Sequence, residues 1–235
     1  MQQGFRLRTI GLLAAAGFLL LAASAAQAAP GDVYDAHTDF SIINNGGALN
    51  NWSYGWKPTV NGAFTPYDLN GTILGNAQLW NATTPQSLLV PAAWNNATGT
   101  SLVVIDPANS AAFHPGQFGE VSVFRFTVPA TSDYSIAGAM QLVDSGDTKG
   151  YVVINGVTMV SLGQMVIADG AHPFALETIL NAGDIVDFSV GLGNSGSFFN
   201  DSTKLTASLT DVPEPASMAL LGLGLAGLAA ARRRR

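Results

Sequence analysis

The chain has 235 residues, a formal net charge of −6, 48% hydrophobic residues and no cysteine. The absence of cysteine excludes disulfides, thiol catalysis and zinc–thiolate sites. Between residues 29 and 211 there are only four basic residues, against 15 of the 16 acidic ones. This acidic balance argues against binding nucleic acid and against docking on anionic lipid, because both need clustered Lys and Arg.

The N-terminus has the three parts of a secretory signal. Two arginines precede the apolar run Ile10–Ala23, and small residues follow at Ala26 and Ala28. This order predicts a signal-peptide helix over residues 1–28 that signal peptidase removes by cleavage before Ala29.

Residues 29–211 are predicted to form one all-β domain. Gly, Asn, Ser and Thr recur between short apolar runs, and no long segment has the 3.6-residue period of a helix. Asn155-Gly156 lies between two apolar runs and predicts a hairpin with a type I′ turn. About ten such runs indicate two packed antiparallel sheets, a β-sandwich. The predicted strands are Ser53–Trp56, Tyr67–Leu69, Ala77–Trp80, Ser87–Val90, Leu102–Ile105, Val121–Val128, Tyr134–Val143, Tyr151–Ile154, Val157–Val160, Phe174–Leu180, Ile185–Val190 and Leu205–Leu209.

The last 24 residues, 212–235, form a separate segment. Two prolines begin it, the uncharged run Ala216–Ala231 follows, and four arginines end it. Sixteen helical residues span roughly 24 Å, which is short for a hydrocarbon core of about 30 Å. The run is therefore predicted to be a short transmembrane helix that holds the protein in a membrane only weakly.

This order of features resembles the PEP-CTERM sorting segment. The resemblance implies recognition and cleavage by an exosortase, in Gram-negative bacteria that make extracellular polysaccharide. It also implies transient residence in the inner membrane, followed by delivery to the cell surface or the extracellular matrix. An ordinary C-terminal membrane anchor is the alternative. The residues that the resemblance assigns to sorting and processing are Pro213, Glu214, Pro215, Arg232, Arg233, Arg234 and Arg235.

The second half of the domain resembles the jelly-roll sandwiches of carbohydrate-binding modules. The segments that carry this likeness are His114-Pro115-Gly116, Val123–Val128 with Pro129, the Asn155-Gly156 hairpin, Ala182-Gly183-Asp184 and Asn200–Thr203. The resemblance implies a jelly-roll-like fold and glycan as a partner.

Aromatic residues cluster in the first half of the domain, and asparagines flank them. Sugar rings stack on flat aromatic surfaces, and their hydroxyls bind amides and carboxylates, so the cluster is a candidate glycan platform. The alternative is that these side chains fill the core, where large aromatics commonly lie. The candidate residues are Trp52, Tyr54, Trp56, Trp80 and Trp94.

Two loops carry carboxylates that suit a hard cation. Asp144 and Asp147 follow one predicted strand, and Asp201 lies in another loop. Calcium prefers several oxygen ligands, so a structural Ca²⁺ is one interpretation. Ordinary turn formation by Asp is the other, and no EF-hand spacing is present.

Catalytic motifs are absent from the sequence. A glycosidase needs two carboxylates at a defined separation, and Glu120 and Glu177 are the only glutamates of the domain. The sequence therefore favours a non-enzymatic exported β-sandwich that binds glycan or serves structurally in an exopolysaccharide or biofilm matrix. A secreted carbohydrate-active hydrolase on the same fold is the alternative.

Overall fold

The computed structural model describes residues 31–73, 77–85, 89–97 and 110–212. These residues form strands and loops, with one 3-10 turn at Ile167–Asp169. The strands are β1 Val33–Asp35, β2 Trp52–Lys57, β3 Thr65–Pro66, β4 Leu69–Ile73, β5 Ala77–Asn81, β6 Ala92–Asn96, β7 Ser110–His114, β8 Val121–Thr127, β9 Ser132–Leu142, β10 Asp147–Ile154, β11 Val157–Val166, β12 His172–Leu180, β13 Ile185–Leu192 and β14 Thr203–Val212.

The strands form two antiparallel sheets. The larger sheet has the order β12-β9-β14-β7-β6-β5-β4, and β1 also pairs with β14. The smaller sheet has the order β11-β10-β13-β8-β2-β3. The predicted all-β sandwich is confirmed. The predicted helices over residues 1–28 and 216–231 lie outside the described residues, and the jelly-roll-like connectivity stays a prediction.

The core lies between the sheets and is rich in aromatic rings. Phe124 of the smaller sheet meets Phe113 of the larger sheet edge to face, with ring centroids 5.5 Å apart. Phe188 of the smaller sheet packs against Phe174 of the larger sheet in a tilted arrangement, with ring centroids also 5.5 Å apart. Strands such as β8, β9 and β13 contribute alternate residues to this layer, so the period of two along the sequence becomes one continuous apolar interior.

Strand prediction succeeded where apolar residues alternate. The Asn155-Gly156 turn is confirmed, because both residues have positive φ, 49° and 80°, as a type I′ turn requires. Four strands were missed: β1 and β3, which are only three and two residues long, and β6 and β7, whose alanines and asparagines are weak strand formers. The predicted strand Tyr67–Leu69 was wrong at Tyr67 and Asp68, and only Leu69 belongs to a strand, β4. The predicted strand Leu102–Ile105 and the first two residues of Ser87–Val90 lie outside the described residues.

Two of the four basic residues of the domain are used internally. Lys57 and Asp187, each about 2% exposed, form an ion pair with 2.5 Å between Nζ and Oδ2. Arg125 donates two hydrogen bonds to the same carboxylate, and its guanidinium lies 3.9 Å from the Phe64 ring centre. Removing one partner of such a buried pair leaves an uncompensated charge, so both cations are committed to the fold.

Candidate functional site

The two aromatic residues at the start of β2 lie inside the core. Trp52 is 1% exposed and Tyr54 is fully buried. The Trp52 ring packs between Phe126 and Phe188, with centroid distances of 5.3 and 5.9 Å. Tyr54 exposes no ring face to solvent, because Phe124 and Trp80 cover it. Neither ring offers an exposed face on which a sugar could stack.

The other three tryptophans are separated from one another. Trp80 lies in the main core and donates its indole N–H to the Ser41 carbonyl at 2.7 Å. Trp94 belongs to a second apolar cluster, with Leu79 and three alanines. Trp56 is partly buried against the main core. The predicted aromatic platform is therefore not formed. The core alternative describes Trp52, Tyr54 and Trp80, whereas Trp94 is buried in the second cluster and Trp56 is only partly buried.

Three connections cross between the sheets at one end of the sandwich, which we call the crossover end. They comprise residues 115–120, 143–146 and 193–202. Asp147 and Asp201, 7% and 0% exposed, tie them together. The Asp201 Oδ1 atom accepts the Asp147 N–H at 3.0 Å, and the Asp147 carboxylate accepts the backbone N–H of Ser195 at 3.0 Å and its hydroxyl.

A buried histidine completes this network. His114 Nδ1 lies 2.7 Å from the Pro115 carbonyl oxygen, which can only accept, so Nδ1 carries the proton. Nε2 then accepts the backbone N–H of Asp201 at 3.3 Å. Burial lowers the pKa of His114, and the neutral tautomer satisfies both ring nitrogens. His114 is therefore a structural connector and not a free base.

Asp201 has an unusual environment for a carboxylate. Burial is the main cause that raises its pKa, to about 7, and the negative charges of Asp147 and Asp144 add to the rise. Its Oδ2 atom is buried and has no hydrogen-bond partner among the described residues. Part of the Asp201 population therefore holds a proton near neutral pH.

The predicted calcium ligands are only partly brought together. Asp201 Oδ1 accepts a hydrogen bond from the backbone N–H of Asp147, and Asp144 Oδ1 accepts one from the N–H of Ser145 at 2.7 Å. In the described ranges, no group of three or more His, Asp or Glu residues is arranged to hold a metal ion. The calcium site at Asp144, Asp147 and Asp201 stays a prediction.

The opposite end of the sandwich carries the C-terminus of the described chain, and we call it the C-terminal end. β14 remains paired with β9 to its last residue, where Val212 faces Asp133. The Asp211 N–H donates to the Asp32 carbonyl at 3.0 Å. In sequence, Pro213 follows at once. The folded sheet therefore ends directly at the predicted sorting segment, without an intervening linker.

Two cavities open beside this junction. The larger has a volume of about 490 Å³, and the smaller has a volume of about 350 Å³. The residues that line the larger cavity are Asp32, Val33, Tyr34, Asp39, Ser41, Leu49, Asn50, Asn51 and Trp52. Those of the smaller cavity are Asp133, Tyr134, Glu177, Thr178, Ile179 and Val212.

Sequence reasoning missed the larger cavity. Most of its lining comes from β1 and from residues 36–51, which have no regular period. The one sequence feature that points to this cavity is the polar pair Asn50 and Asn51. These two residues are among the asparagines that flank the predicted aromatic platform. A concave site built from an irregular segment and one short strand leaves no periodic pattern in the sequence.

The predicted membrane and processing segments are not part of the described structure. Signal-peptide cleavage at Ala26, Ala28 and Ala29, and the segment from Pro213 to Arg235, lie outside the described residues. Within the described ranges, none of the helical structure has the length and apolar character needed to cross a bilayer.

The fold and the junction together define an all-β sandwich whose last strand leads into a C-terminal signal. Comparison with family models identifies that signal. Residues 211–235 match the PEP-CTERM protein-sorting motif, one residue before the start that the sequence predicts. The chain therefore carries a PEP-CTERM sorting motif, which implies export and surface sorting with exosortase processing. No curated protein matched the chain.

Among solved structures, the chain is similar to a family 35 carbohydrate binding module from Clostridium thermocellum. The identity is 11% and the TM-score 0.29, over 60% of this chain and 85% of that one. A CBM51 from Clostridium perfringens GH95 in complex with methyl-galactose has 8% identity and a TM-score of 0.32, over 62% and 94% of the two chains. A tailspike protein of bacteriophage CBA120 has 10% identity and a TM-score of 0.31, over 70% and 20%. At these scores the likenesses establish neither a fold family nor a ligand.

Proposed function

We propose that this protein is an exported, exosortase-processed module with a non-catalytic β-sandwich that binds a neutral extracellular glycan or serves structurally in an exopolysaccharide matrix. Signal peptidase removes residues 1–28, the inner membrane holds the C-terminal run briefly, and processing then delivers the domain to the cell surface or beyond it. The observation that carries the proposal is the sorting motif at residues 211–235, joined directly to the last strand.

Charge supports a neutral partner. Of the four basic residues of the domain, Lys57 and Arg125 are held by Asp187, which leaves Lys149 and Lys204. An acidic surface with so few uncommitted cations repels nucleic acid, anionic lipid and polyuronates at long range. A neutral polysaccharide bears no such penalty and binds through its hydroxyl groups.

The positions of the glutamates support a non-catalytic role. Glu120 precedes β8 at the crossover end, where it accepts the Phe118 N–H at 3.0 Å. Glu177 lies on β12 of the other sheet and pairs with Ser135, near the C-terminal end. A glycosidase needs its two carboxyl groups within roughly 5–10 Å across one bond. These two glutamates lie near opposite ends of the sandwich, so they do not form such a pair.

The test is the mass of the mature protein from its native host. We expect a species that starts at Ala29 and lacks Arg232–Arg235. A second strain carries Pro213, Glu214 and Pro215 in scrambled order, and we expect it to accumulate uncleaved precursor in the inner membrane. An intact C-terminus on the mature protein, or normal delivery of the scrambled variant, contradicts the proposal.

Catalysis is tested separately. Purified protein is incubated with the polysaccharide of its host, and released reducing sugar is measured. We expect none above the blank. Release that disappears in Glu177→Gln, but not in the matched exposed variant Asp169→Asn, would favour the hydrolase alternative.

A further inference from the structure

The larger cavity has the size and form of a small-ligand site. Its volume of about 490 Å³ lies within the range of roughly 300–1,000 Å³ that is common for such sites. It lies against β1, whose partner strand β14 continues into the sorting motif. The cavity therefore lies between β1, which is held in the larger sheet by β14, and the segment 36–51.

The lining groups are those that recognise hydroxyls. Two carboxylates, two amides, the Ser41 hydroxyl and the Tyr34 phenol offer acceptors and donors together. None of the described lining residues is Lys, Arg or His. Apolar contact is available from Val33 and Leu49, which are 58% and 83% exposed. The set suits a polar, uncharged molecule that has apolar CH faces.

Several of these groups are held in place. The Tyr34 ring packs on Phe126 with centroids 4.9 Å apart. Asn50 donates to the Asn44 carbonyl at 3.0 Å and accepts the Trp52 N–H at 3.0 Å. Asp39 accepts the Asp35 N–H through Oδ2 at 2.8 Å. A site with fixed groups loses little entropy when a ligand binds.

One buried donor near the cavity lacks a partner. Trp52 lines the cavity and is 1% exposed, and its indole N–H has no hydrogen-bond partner among the described residues. A buried unpaired donor is costly, typically about 1–3 kcal/mol, unless a ligand or water satisfies it. The Tyr34 phenol keeps its proton at every physiological pH, because burial above all, and then the charge of Asp32, raises its pKa. It shares that proton with Asp32, which fixes the positions of both side chains.

We propose that this cavity, formed by Asp32, Tyr34, Asp39, Asn51 and Trp52, binds a neutral saccharide unit of an extracellular glycan. This assignment rests on the glycan-binding branch of the proposed function and gives it a location. Hydroxyls of the sugar donate to the two carboxylates and to the Tyr34 oxygen, and they accept from the Asn51 amide. The apolar face of the ring contacts Leu49 and Val33.

A divalent cation fits the cavity less well. Asp32 and Asp39 are two carboxylates, and Asp39 already spends one oxygen on the Asp35 N–H. In the described ranges no set of three or more acidic or histidine side chains has metal-binding geometry. A cation also leaves the apolar lining and the unpaired indole unused.

The experiment uses the full chain in detergent, labelled with ¹⁵N, and follows its indole N–H signals during titration. The probes are the methyl glycosides of glucose, galactose, mannose, N-acetylglucosamine and glucuronic acid, and calcium chloride in a parallel arm. We expect at least one neutral glycoside to shift the Trp52 indole signal, and the glucuronide to bind more weakly because Asp32 and Asp39 repel its carboxylate.

Two variants and one matched control locate the site. Asp32→Ala and Asn51→Ala each remove one ligand contact, and we expect each to weaken saccharide binding about tenfold, as for a lost charged or amide hydrogen bond. Asp133→Ala removes an equally exposed carboxylate from the smaller cavity and should leave the affinity unchanged. Far-ultraviolet circular dichroism establishes that each variant is folded.

The possible outcomes distinguish a wrong site assignment from a failure of the proposed glycan-binding function. If no neutral saccharide binds, the glycan branch of the proposed function fails together with the site. If a saccharide binds but Asp32→Ala and Asn51→Ala retain the wild-type affinity, or only Asp133→Ala loses it, the site is wrong and glycan binding stands. A Trp52 shift with calcium and with no sugar overturns the saccharide assignment.

Discussion

The two ends of this sandwich are built on different principles. At the crossover end, buried polar groups link the three connections. Asp147, His114 and Ser195 all form hydrogen bonds with other groups of the protein. At the C-terminal end, two cavities remain open, and polar side chains face them. Polar groups whose hydrogen bonds are all made within the protein stabilise the fold, whereas polar groups that line an open cavity keep further donor and acceptor capacity for a ligand.

Because the two ends differ, the domain is asymmetric along its strands. β14 runs from the crossover end to the C-terminal end and leads into the sorting motif at residues 211–235. In the membrane-held state of the proposed function, the open end is the one joined to the anchoring segment. The contrast predicts that mutations at the crossover end lower stability, and that mutations at the C-terminal end alter binding or processing.

The largest effect is expected for Gly146→Ala at the crossover end. A Cβ at this position would meet the Asn200 carbonyl oxygen at 2.5 Å, the Phe199 carbonyl oxygen at 2.7 Å and Oδ1 of Asp201. Because two of these atoms are backbone, the loops must separate, and we expect the free energy of unfolding to fall by about 3 kcal/mol. Gly71→Ala is the matched control, since its Cβ meets nothing within 4 Å. Urea unfolding measures both, and equal losses would remove the distinction.

Asp147→Ala should be the next most harmful change. It leaves the N–H and hydroxyl of Ser195 without their acceptor, and we expect a loss of about 2 kcal/mol in the free energy of unfolding. Asp133→Ala at the C-terminal end removes an exposed carboxylate and should change stability by less than about 0.5 kcal/mol. A comparable loss in both variants would show that the two ends do not differ.

The pH dependence of stability should depend on Asp201. Its pKa is raised from 3.8 to about 7 in the folded state, so the folded protein retains a proton that the unfolded chain releases. The resulting stabilisation is complete below the unfolded pKa and is lost as the pH rises through about 7. The pKa of His114 is lowered, so His114 acts with the opposite sign below its ordinary value.

The difference between wild type and Asp201→Asn isolates the first contribution. We expect the urea midpoint of the wild type to fall more steeply than that of the variant between about pH 5 and about pH 8. Identical slopes would mean that Asp201 ionises normally and that the crossover end is more hydrated than its burial indicates.

The smallest expected effect is on processing at the C-terminal end. A protease needs an extended substrate segment that is not paired with another strand, yet Val212 is still paired with Asp133. Six Gly/Ser residues inserted between Val212 and Pro213 spare the enzyme from opening this pair, and we expect precursor cleavage to accelerate about fivefold. The same insertion at the Asn155-Gly156 turn is the control. Pulse-chase labelling measures both rates, and slower cleavage with the first insertion would indicate that the enzyme docks on the sandwich.

Local patterns predicted a large share of the fold. Alternation located β8 and β9, and Asn155-Gly156 specified its hairpin, because both depend on the period of a strand or on the backbone of two residues. The alanine-rich strands β6 and β7 were missed. Their strand conformation depends on hydrogen bonds with neighbours in the sheet and not on their own side chains.

The aromatic residues show where this reasoning ends. The alternation of Trp52 and Tyr54 indicates that they share a face, but not whether that face is covered. Phe126 and Phe188, which enclose Trp52, follow it by more than 70 residues in the sequence. Whether an aromatic ring stacks on a sugar or fills a core is decided by such distant contacts.

By itself, the sequence determined the sorting motif, the disulfide-free acidic character and the two-sheet class, since each follows from composition or from a short ordered pattern. Only the tertiary structure decided that the predicted platform is core, that His114 and Asp201 close one end, and that an open polar cavity lies beside the last strand. Burial and cavities arise when segments far apart in the chain pack together, and no local pattern records that packing.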